Sequence, residues 1–406
     1  SFPTRRSSDL WGWKDRYPKT LSDSLYRVYE RIFHEILPEA VEKYQPGLSY
    51  WATSPGSWPG GRVMPDHKSG DVHDWNIWFG PIPPFEEYEH NLGRFVSEYG
   101  LQAYPVMKTL EAFSEPGDLD YGSELLRFRQ RSRMPWIAPG MDGNAMMLAY
   151  INMYFGEPAD FPSYVYLTQV TQALGLQTGI EIHRRNRPHC MGSLYWQLND
   201  CWPTMSWATV DYYGRWKAAH YAVKEAFETV ILSGKKTEQG LEIHVVSDST
   251  GDVQAELTLT EMDFDGNVIS AKSEEVVIPA LSSFIAARVC PLNSDGDNTV
   301  LVTELKTAEE LLSRKVLPFN KYIDLRLPQP ELKITGITGS NPAEITVSSD
   351  RLAPYVRLEC DKEGWFESNY FDLVPGRDIT VRFHPDQKDV ELTAADFKVS
   401  SLQRFL

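Results

Sequence analysis

Up to about residue 232, the chain alternates between stretches whose apolar residues recur at helical spacing and short runs that are apolar throughout. The stretch LYRVYERIFHEILPEAVEKY (25–44) predicts an amphipathic helix, which we expect Pro38 to interrupt. LSYWATSP (48–55) follows as a predicted strand that ends in a turn.

Three later segments share one pattern, a short buried strand that runs into a polar, aromatic loop: DVHDWNIWFG, GRFVSEYG and MGSLYWQLNDCWP. Two convincing helices lie between or after them, FPSYVYLTQVTQALGLQTGIEIHRRN and GRWKAAHYAVKEAFETVI. Strands that alternate with helices indicate parallel βα units, and barrels of such units keep their chemistry at the carboxyl ends of the strands. We therefore predict part of a βα barrel.

Beyond residue 232 the pattern changes to the strict alternation of half-buried strands. LEIHVVSD, VQAELTLTEMD, EEVVIPA, FIAARV and NTVLVTEL form one set, with the hairpin-like DFDGN between two of them. ELKITGI, AEITVSS, YVRLEC, ITVRF and FKVSSL form a second set after Pro328. The predicted fold is thus multidomain, α/β followed by all-β: a βα-barrel part at 11–232 and two β-sandwiches at 233–325 and 326–406.

Composition narrows the function classes. A chain of 406 residues is long enough for two or three domains, and its net charge of −16 argues against nucleic acid or an anionic membrane as a partner. No apolar run approaches the ~18 residues of a membrane helix. The four cysteines are widely spread without a CxxC, so they indicate neither a zinc cluster nor a disulfide framework, and no compartment. We predict no metal and no cofactor.

Aromatic residues are concentrated in the first part of the chain, which holds every tryptophan except Trp365. Trp and Tyr rings offer flat apolar faces with a polar edge, which suits sugars. The alternative explanation is a large aromatic core.

One carboxylate stands out in RFVSEYGLQAYP (94–105), where Glu98 follows an apolar strand and precedes Tyr99 and Gly100. A carboxylate at the carboxyl end of a barrel strand, beside a glycine that lets the chain turn sharply, is well placed to attack a substrate. Taken alone the motif is weak, and a surface or helix-capping glutamate is the alternative.

Three segments together carry a family resemblance: GDVHDWNIWFG upstream of Glu98, the long string GSLYWQLNDCWPTMSWATVDYYGRWKAAHYAVKEAF downstream, and WFESNYFDLVPGRDITV near the end. From about Trp11 onwards the chain resembles the β-mannosidases of a multidomain family of retaining glycosidases that also contains β-galactosidases and β-glucuronidases. The resemblance implies the C-terminal half of a (β/α)8 TIM barrel followed by two immunoglobulin-like β-sandwich domains. It also implies that Glu98 is the catalytic nucleophile.

The resemblance suggests substrate-binding roles for the residues at the strand ends. Trp196 is the best candidate for stacking on a sugar, with packing at the barrel mouth as the alternative. His73 and Trp75 are candidates for contacts with a mannose hydroxyl and a ring face. Asn199 and Asp200 either bind sugar or organise their loop. The residues predicted to serve packing are Cys201 as a small buried side chain, and Trp207, Trp216 and His220 between the last helix and the barrel.

The second catalytic residue of the family, the acid/base glutamate, is not found in this sequence. The resemblance places the acid/base in an Asn-Glu run shortly before a stretch like WGWKD (11–15), where this chain has SFPTRRSSDL (1–10), and no Asn-Glu dipeptide occurs in the 406 residues. Those ten residues correspond to one translated frame of a sequencing adapter, the alternative being a natural polar tail. We therefore expect 1–10 to be an artefact joined to a truncated chain, which as it stands is inactive.

The resemblance implies a retaining exo-β-mannosidase that releases terminal, non-reducing β-mannose from an oligosaccharide or a glycoprotein glycan. Two alternatives stay open. One is a sister exo-glycosidase, namely a β-galactosidase, β-glucuronidase or exo-glucosaminidase. The other is a non-catalytic carbohydrate-binding protein on the same scaffold.

Overall fold

The structure is a computed structural model that describes residues 17–56, 67–292, 298–387 and 390–406. The predicted artefact at 1–10 and the stretch WGWKD lie outside these described residues. The first element is helix α1 (Lys19–Arg31), which continues through a π-helical turn (Ile32–Ile36) into α2 (Leu37–Tyr44).

The prediction that Pro38 interrupts this helix was wrong. In the π-helical turn the N–H of Leu37 bonds to the carbonyl of Ile32, five residues back. Pro38 then occupies the first turn of α2, where a residue without an N–H is tolerated. The wider turn therefore lets the chain continue as a helix.

The strand predicted at LSYWATSP is also absent from the structure. Residues 48–55 are irregular, and in the described part of the chain the ladder contact nearest to them is one antiparallel bridge, between Gly56 and Asp71. A strand needs a partner along its length to satisfy its backbone groups, and one bridge does not provide that.

Two short parallel strands lie at the centre of the first part of the chain, β1 (Val72–Asp74) and β2 (Val96–Tyr99). A brief helix, α3 (Asn76–Phe79), follows β1, where the sequence predicted a loop. The third predicted strand, in MGSLYWQLNDCWP, is reduced to a parallel bridge between Ser193 and Val96. These contacts are parallel, as the alternation of strands and helices predicted.

Helices cover this small sheet. In chain order they are α4 (Met107–Glu111), α5 (Glu124–Arg129), α6 (Gly143–Tyr154), α7 (Phe161–Arg185) and α8 (Ala218–Ala226), with 3-10 turns at Phe85–His90 and Pro116–Asp118. The aspartate before α7, Asp160, accepts a hydrogen bond from the N–H of Ser163 and so caps the helix.

The last helix is shorter than predicted. The sequence extended it to Ile231, but α8 ends at Ala226 and a strand, β3 (Val230–Thr237), begins four residues later. β-branched residues such as Thr229, Val230 and Ile231 fit a strand better than a helix, and here that preference prevails.

The first β-sandwich consists of a three-stranded sheet in the order β3-β4-β7 and a four-stranded sheet in the order β6-β5-β8-β9. Its further strands are β4 (Gly240–Ser247), β5 (Val253–Asp263), β6 (Val268–Ile278), β7 (Ser283–Val289), β8 (Thr299–Lys306) and β9 (Leu311–Pro318). The sequence prediction missed β3 and β9.

The second β-sandwich pairs a sheet in the order β10-β11-β15-β13 with one in the order β14-β12-β16. Its strands are β10 (Leu332–Thr338), β11 (Ala343–Ser349), β12 (Ala353–Cys360), β13 (Gly364–Phe366), β14 (Phe371–Leu373), β15 (Ile379–Pro385) and β16 (Phe397–Ser400). The two short strands, β13 and β14, were not predicted. Each sandwich has its own apolar core.

A third and larger core joins the helical part to both sandwiches. It includes Tyr166 of α7, Val316 of β9 and Phe405 near the C-terminus. Tyr166 stacks on Phe405 with ring centroids 3.9 Å apart and donates a hydrogen bond of 2.6 Å to the carbonyl of Tyr355. The sandwiches are therefore packed onto α7 through a buried apolar interface.

The end of β1 carries a buried carboxyl group, that of Asp74, which is 1% exposed. Burial raises the pKa of Asp74 to about 6 from the ordinary value of 3.8. Hydrogen bonds from the Asn91 side chain and the Asn76 N–H act in the opposite direction but do not compensate for the burial.

Replacing Phe405 by alanine should destabilise the packing of the sandwiches on α7. Loss of a buried ring and the resulting cavity cost about 3–5 kcal/mol. Urea unfolding followed by tryptophan fluorescence measures this, because all tryptophans except Trp365 lie before the sandwiches. The neighbouring Leu406, 42% exposed, is the control. Leu406→Ala should change the free energy of unfolding by less than about 0.5 kcal/mol, and equal effects of the two variants would contradict the interface.

Replacing Asp74 by asparagine should remove a pH-dependent part of the stability. Because its folded-state pKa is raised, Asp74 contributes its stability fully below about pH 4 and loses it as the pH rises through about 6. A pKa difference of about 2 corresponds to about 3 kcal/mol. The free energy of unfolding of Asp74→Asn, relative to the unchanged protein, should rise by this amount between pH 4 and pH 7.

The control is Asp23→Asn, at a side chain 53% exposed on α1. Because this side chain lies largely in solvent, its replacement should change the free energy of unfolding by less than about 0.5 kcal/mol at pH 7. A difference for Asp74→Asn that does not change with pH would show that the Asp74 carboxyl is not desolvated.

Candidate active site

The site begins with the register of the two parallel strands. His73 of β1 is paired with Glu98 of β2, after an irregularity between Val72 and His73. Paired residues of neighbouring strands project to the same face of a sheet, so both side chains meet. They are largely buried, with 8% of the His73 side chain and 11% of the Glu98 side chain exposed.

Two groups converge on one carboxylate oxygen of Glu98. The indole N–H of Trp75 donates to Oε2 at 3.3 Å, and Nδ1 of His73 lies 3.4 Å from the same atom. The structure thus brings together three residues singled out from the sequence. Hydrogen-bond donors around a carboxylate favour its ionised form, which a nucleophile requires.

The contacts continue beyond His73 to residues that the sequence analysis missed. Ser54 Oγ lies 3.1 Å from Nε2 of His73 and donates to Oδ2 of Asp71 at 2.5 Å. Ser97 Oγ donates to the same oxygen at 2.5 Å, and the N–H of Gly56 donates to Oδ1 at 2.9 Å. Asp71 stands two residues before His73, and residues two apart in an extended chain lie on the same face. The sequence could therefore have predicted that Asp71 lies on the side of the site. Nothing in the sequence pointed to Ser54.

A glycine allows the segment of Ser54 to approach β1. Gly70 has φ of +67°, and a Cβ at this position would lie 1.7 Å from the carbonyl oxygen of Gly56. Any other side chain would therefore push residues 51–56 away from Asp71 and His73.

An aromatic cluster supports Trp75. Its ring packs edge-on against Trp207 at 6.0 Å and against Phe79 at 5.5 Å, and Trp207 in turn contacts the fully buried Trp78 at 5.8 Å. Packing between the last helix and the barrel was the prediction for Trp207. It packs instead beside the site, because the loop after Trp196 folds back over α3.

Trp196 lies next to the end of β2. Its N–H donates to the carbonyl of Tyr99 at 2.8 Å, and its peptide bond to Gln197 is cis. A Cβ on Gly100 would lie 2.1 Å from the Trp196 carbonyl oxygen, so the two backbones touch directly after Glu98. Trp196 is half-buried, and its stacking on a sugar stays a prediction.

The loop after Trp196 contains three residues considered from the sequence. Asn199 is exposed and its backbone bridges to Val210. Asp200 accepts a hydrogen bond of 2.7 Å from Ser206, as expected for a residue that organises the loop, and burial raises its pKa. The prediction of a buried Cys201 was wrong, because Asp200 turns inward to Ser206 and the next side chain faces solvent.

Trp216 and His220 serve packing, but partly towards a sandwich. Trp216 contacts the ring of His220 at 4.4 Å and that of Trp365 in β13 at 5.4 Å. His220 Nδ1 lies 3.0 Å from Thr209 Oγ1. None of these contacts joins Trp216 or His220 to Glu98, His73 or Trp75.

Neither nearby aspartate is arranged as a second catalytic carboxylate. Asp71 has both oxygens engaged by Ser54, Ser97 and Gly56, and Asp74 is buried beside Asn76. Among residues 17–56, 67–292, 298–387 and 390–406, no three His, Cys, Asp or Glu side chains are grouped to hold a metal ion. Within the same ranges, none of the helices combines the length and the apolarity needed to cross a membrane.

Both sandwiches match known domain families. Residues 239–322 match the "Mannosidase Ig/CBM-like domain" and residues 327–405 match an "Ig-fold domain" of mannosidases. The prediction of immunoglobulin-like domains in the C-terminal part is thereby confirmed.

Relatives and solved structures extend the match to the helical part. "Beta-mannosidase B" of Aspergillus terreus is 30% identical over 377 residues, which are 86% of this chain and 43% of that protein. The one of Aspergillus niger is 30% identical over 378 residues, with the same coverage. The chain therefore spans less than half the length of these relatives.

The crystal structure of a β-D-mannosidase from Dictyoglomus thermophilum superposes with a TM-score of 0.78 at 28% identity, over 92% of this chain and 44% of that one. An exo-chitosanase from Amycolatopsis orientalis has a TM-score of 0.66 at 18% identity, over 90% and 48% of the two chains, and shares the fold. With both sandwiches matching mannosidase domains and the helical part aligning with β-mannosidases, the chain is a β-mannosidase-like protein of the multidomain glycosidase family that it resembled in sequence.

Proposed function

We propose that this chain belongs to a retaining exo-β-mannosidase in which Glu98 is the nucleophile. The observation that carries the proposal is the convergence of Trp75 and His73 on Oε2 of Glu98 at the carboxyl end of β2. That is where a βα barrel keeps its chemistry, and the relatives are named β-mannosidases.

In the proposed reaction a carboxylate oxygen of Glu98 attacks the anomeric carbon of a terminal β-mannose. The bond to the leaving oxygen breaks, and that oxygen takes a proton from a second carboxylic acid. The same group then removes a proton from water, which displaces Glu98 and releases mannose with its original configuration.

We further propose that the second carboxyl group lies outside these 406 residues. The sequence has no Asn-Glu dipeptide, and the chain spans 43% of the first relatives. General acid–base assistance is typically worth 10²–10⁴-fold. The chain by itself should therefore be inactive on natural glycosides, whose leaving groups need a proton.

For the fold we propose that residues 11–232 are the C-terminal half of a (β/α)8 barrel. The parallel pairing of β1 with β2, and the parallel bridge from β2 to Ser193, support this arrangement. Immunoglobulin-like sandwiches at 233–325 and 326–406 complete the chain, and residues 1–10 are proposed to be foreign to the protein.

The substrate is proposed to be an oligosaccharide or glycoprotein glycan ending in β-mannose, with Trp196 as a stacking platform and Asn199 at the edge of the site. Neither a nucleic acid nor a membrane is proposed as a partner. A sister exo-glycosidase remains the second candidate, because the fold is shared with an exo-chitosanase.

Replacing Glu98 by alanine should abolish turnover by the complete protein that contains this chain. Because binding depends mainly on other groups, the affinity for mannose should stay within about tenfold, or roughly 1.4 kcal/mol. Turnover is measured with an aryl β-mannoside and affinity by calorimetry. The control is Glu111→Ala, at an exposed glutamate of α4, which should keep full activity. Survival of turnover in Glu98→Ala would remove Glu98 from the mechanism.

Substrate specificity is tested with four aryl glycosides on the complete protein, those of β-mannose, β-galactose, β-glucuronic acid and β-glucosamine. We expect kcat/KM to be highest for the mannoside, because the relatives that are 30% identical to this chain are named β-mannosidases. If kcat/KM were highest for one of the other three glycosides, that sugar and not mannose would be the substrate. Binding of mannose without turnover of any of the four would favour the non-catalytic alternative.

A further inference from the structure

A line of polar contacts leads from Asp71 through Ser54 and His73 to Glu98, and the proposed reaction does not use it. Its meaning rests on the proposed role of Glu98 as the nucleophile. The four side chains come from three places: Ser54 from the irregular segment before residue 57, Asp71 and His73 from β1 and the residue just before it, and Glu98 from β2. The direction of each bond follows from which atom carries a hydrogen.

The aspartate end sets the direction. Ser54 has one hydroxyl hydrogen, and at 2.5 Å from Oδ2 of Asp71 this hydrogen points to the carboxylate. Asp71 also accepts hydrogen bonds from Ser97 Oγ and from the N–H of Gly56. Ser54 Oγ can then only accept at its 3.1 Å contact with Nε2 of His73. Nε2 therefore carries a hydrogen.

The other ring nitrogen faces a charge. Nδ1 of His73 lies 3.4 Å from Oε2 of Glu98. If only Nε2 carried a hydrogen, the lone pair of Nδ1 would point at the oxygen of a buried carboxylate, and the two would repel. A second hydrogen on Nδ1 turns this repulsion into an ion pair with a hydrogen bond.

We propose that Asp71, acting through Ser54, holds His73 as the imidazolium ion against Oε2 of Glu98, so that His73 is the positioning residue of the nucleophile. The positive ring orients Oε2 together with the Trp75 N–H and favours the ionised carboxylate. It should also favour the departure of Glu98 when water displaces it from the sugar, because the carboxylate regains its negative charge in that step.

The titratable groups around the His73 ring are placed as follows in the described part of the chain. Glu98 faces it from β2, and Asp71 acts on it through Ser54. Asp74, on the same strand, is the next residue and so points to the opposite face. Trp75 adds a donor to Glu98 but no charge. Two carboxylates thus act on the ring from opposite sides, which is the arrangement that retains a proton on both nitrogens.

The test is ¹⁵N NMR of the 406-residue chain labelled at histidine, with the His73 signals assigned through His73→Asn among the nine histidines. We expect both ring nitrogens of His73 to be protonated at pH 7. In Ser54→Ala the pH midpoint of the His73 signals should fall by about one unit, because Nε2–H loses its acceptor. Glu98→Gln should lower it as well.

Ser97→Ala is the matched control. It removes the other hydroxyl from the same oxygen of Asp71 but leaves the contact of Ser54 with His73 in place, so the His73 midpoint should stay unchanged. Ser54→Thr keeps a hydroxyl and should restore the behaviour of the unchanged chain. A merely structural role of Ser54 would affect thermal unfolding without moving the midpoint.

A neutral His73 at pH 7, or equal shifts in Ser54→Ala and Ser97→Ala, would overturn the proposal. The titration needs no substrate and no acid/base group. If the titration shows a neutral His73, the proposed function is still decided by the Glu98→Ala assay. If Glu98→Ala keeps its turnover, the measured charge of His73 is unaffected.

Discussion

The burial of helix α7 is the constraint on which the rest of the structure depends. This helix of 25 residues is enclosed on almost every side, and nineteen of its residues are buried. Its sequence is not that of a purely apolar helix, because Thr168, Gln169, Gln172 and His183 are among the buried positions. Different faces of the helix contact different parts of the molecule, so displacing it would disturb the site and the sandwiches together.

The polar side chains of α7 are what make these attachments specific. Gln172 donates to the carbonyls of Leu101 and Trp207 at 2.7 and 3.1 Å, beside the site. His183 lies 2.9 Å from Ser193 Oγ and packs edge-on against Tyr99 at 4.8 Å. Burial lowers the pKa of His183 to about 3, so this histidine is neutral. A buried polar group without its partner is costly, so these pairs favour one docking geometry over its neighbours.

On the other side, α7 holds the sandwiches by both apolar and ionic contacts. Glu181 pairs with Lys315 of β9 at 2.9 Å and accepts a hydrogen bond from Ser233 of β3. Lys315 also contacts Glu225 of α8 at 2.8 Å, and the two carboxylates raise the pKa of this buried lysine in spite of its desolvation. Buried ion pairs contribute little net stability, but losing one partner is expensive. The first sandwich therefore sits on α7 and α8 in a defined orientation, behind the strands that carry Glu98 and His73.

Much of this architecture was open to prediction from local pattern. Period-two alternation identified most strands of both sandwiches, because each of those strands has one buried and one exposed face. The strand before Glu98 was identified from its continuous apolar run, and α7 from the helical spacing of its apolar residues. The prediction failed where surroundings or length decided the structure. It interrupted a helix at Pro38 and assigned a strand to residues 48–55, which are irregular. It also missed β13 and β14, which are too short to show a period.

At the site, the βα pattern together with the family resemblance selected Glu98, His73 and Trp75, since strand ends in such a pattern meet at one edge. It could not select Ser54, whose segment has no regular structure of its own and approaches β1 only because Gly70 leaves room for it. Nor could it assign Trp207, which contacts Trp75 from a loop more than a hundred residues away. Sequence periodicity shows which face of an element is buried, while long-range contacts decide what lies against that face. The charge of His73 and the orientation of Glu98 depend on such long-range contacts, so only the tertiary structure decides them.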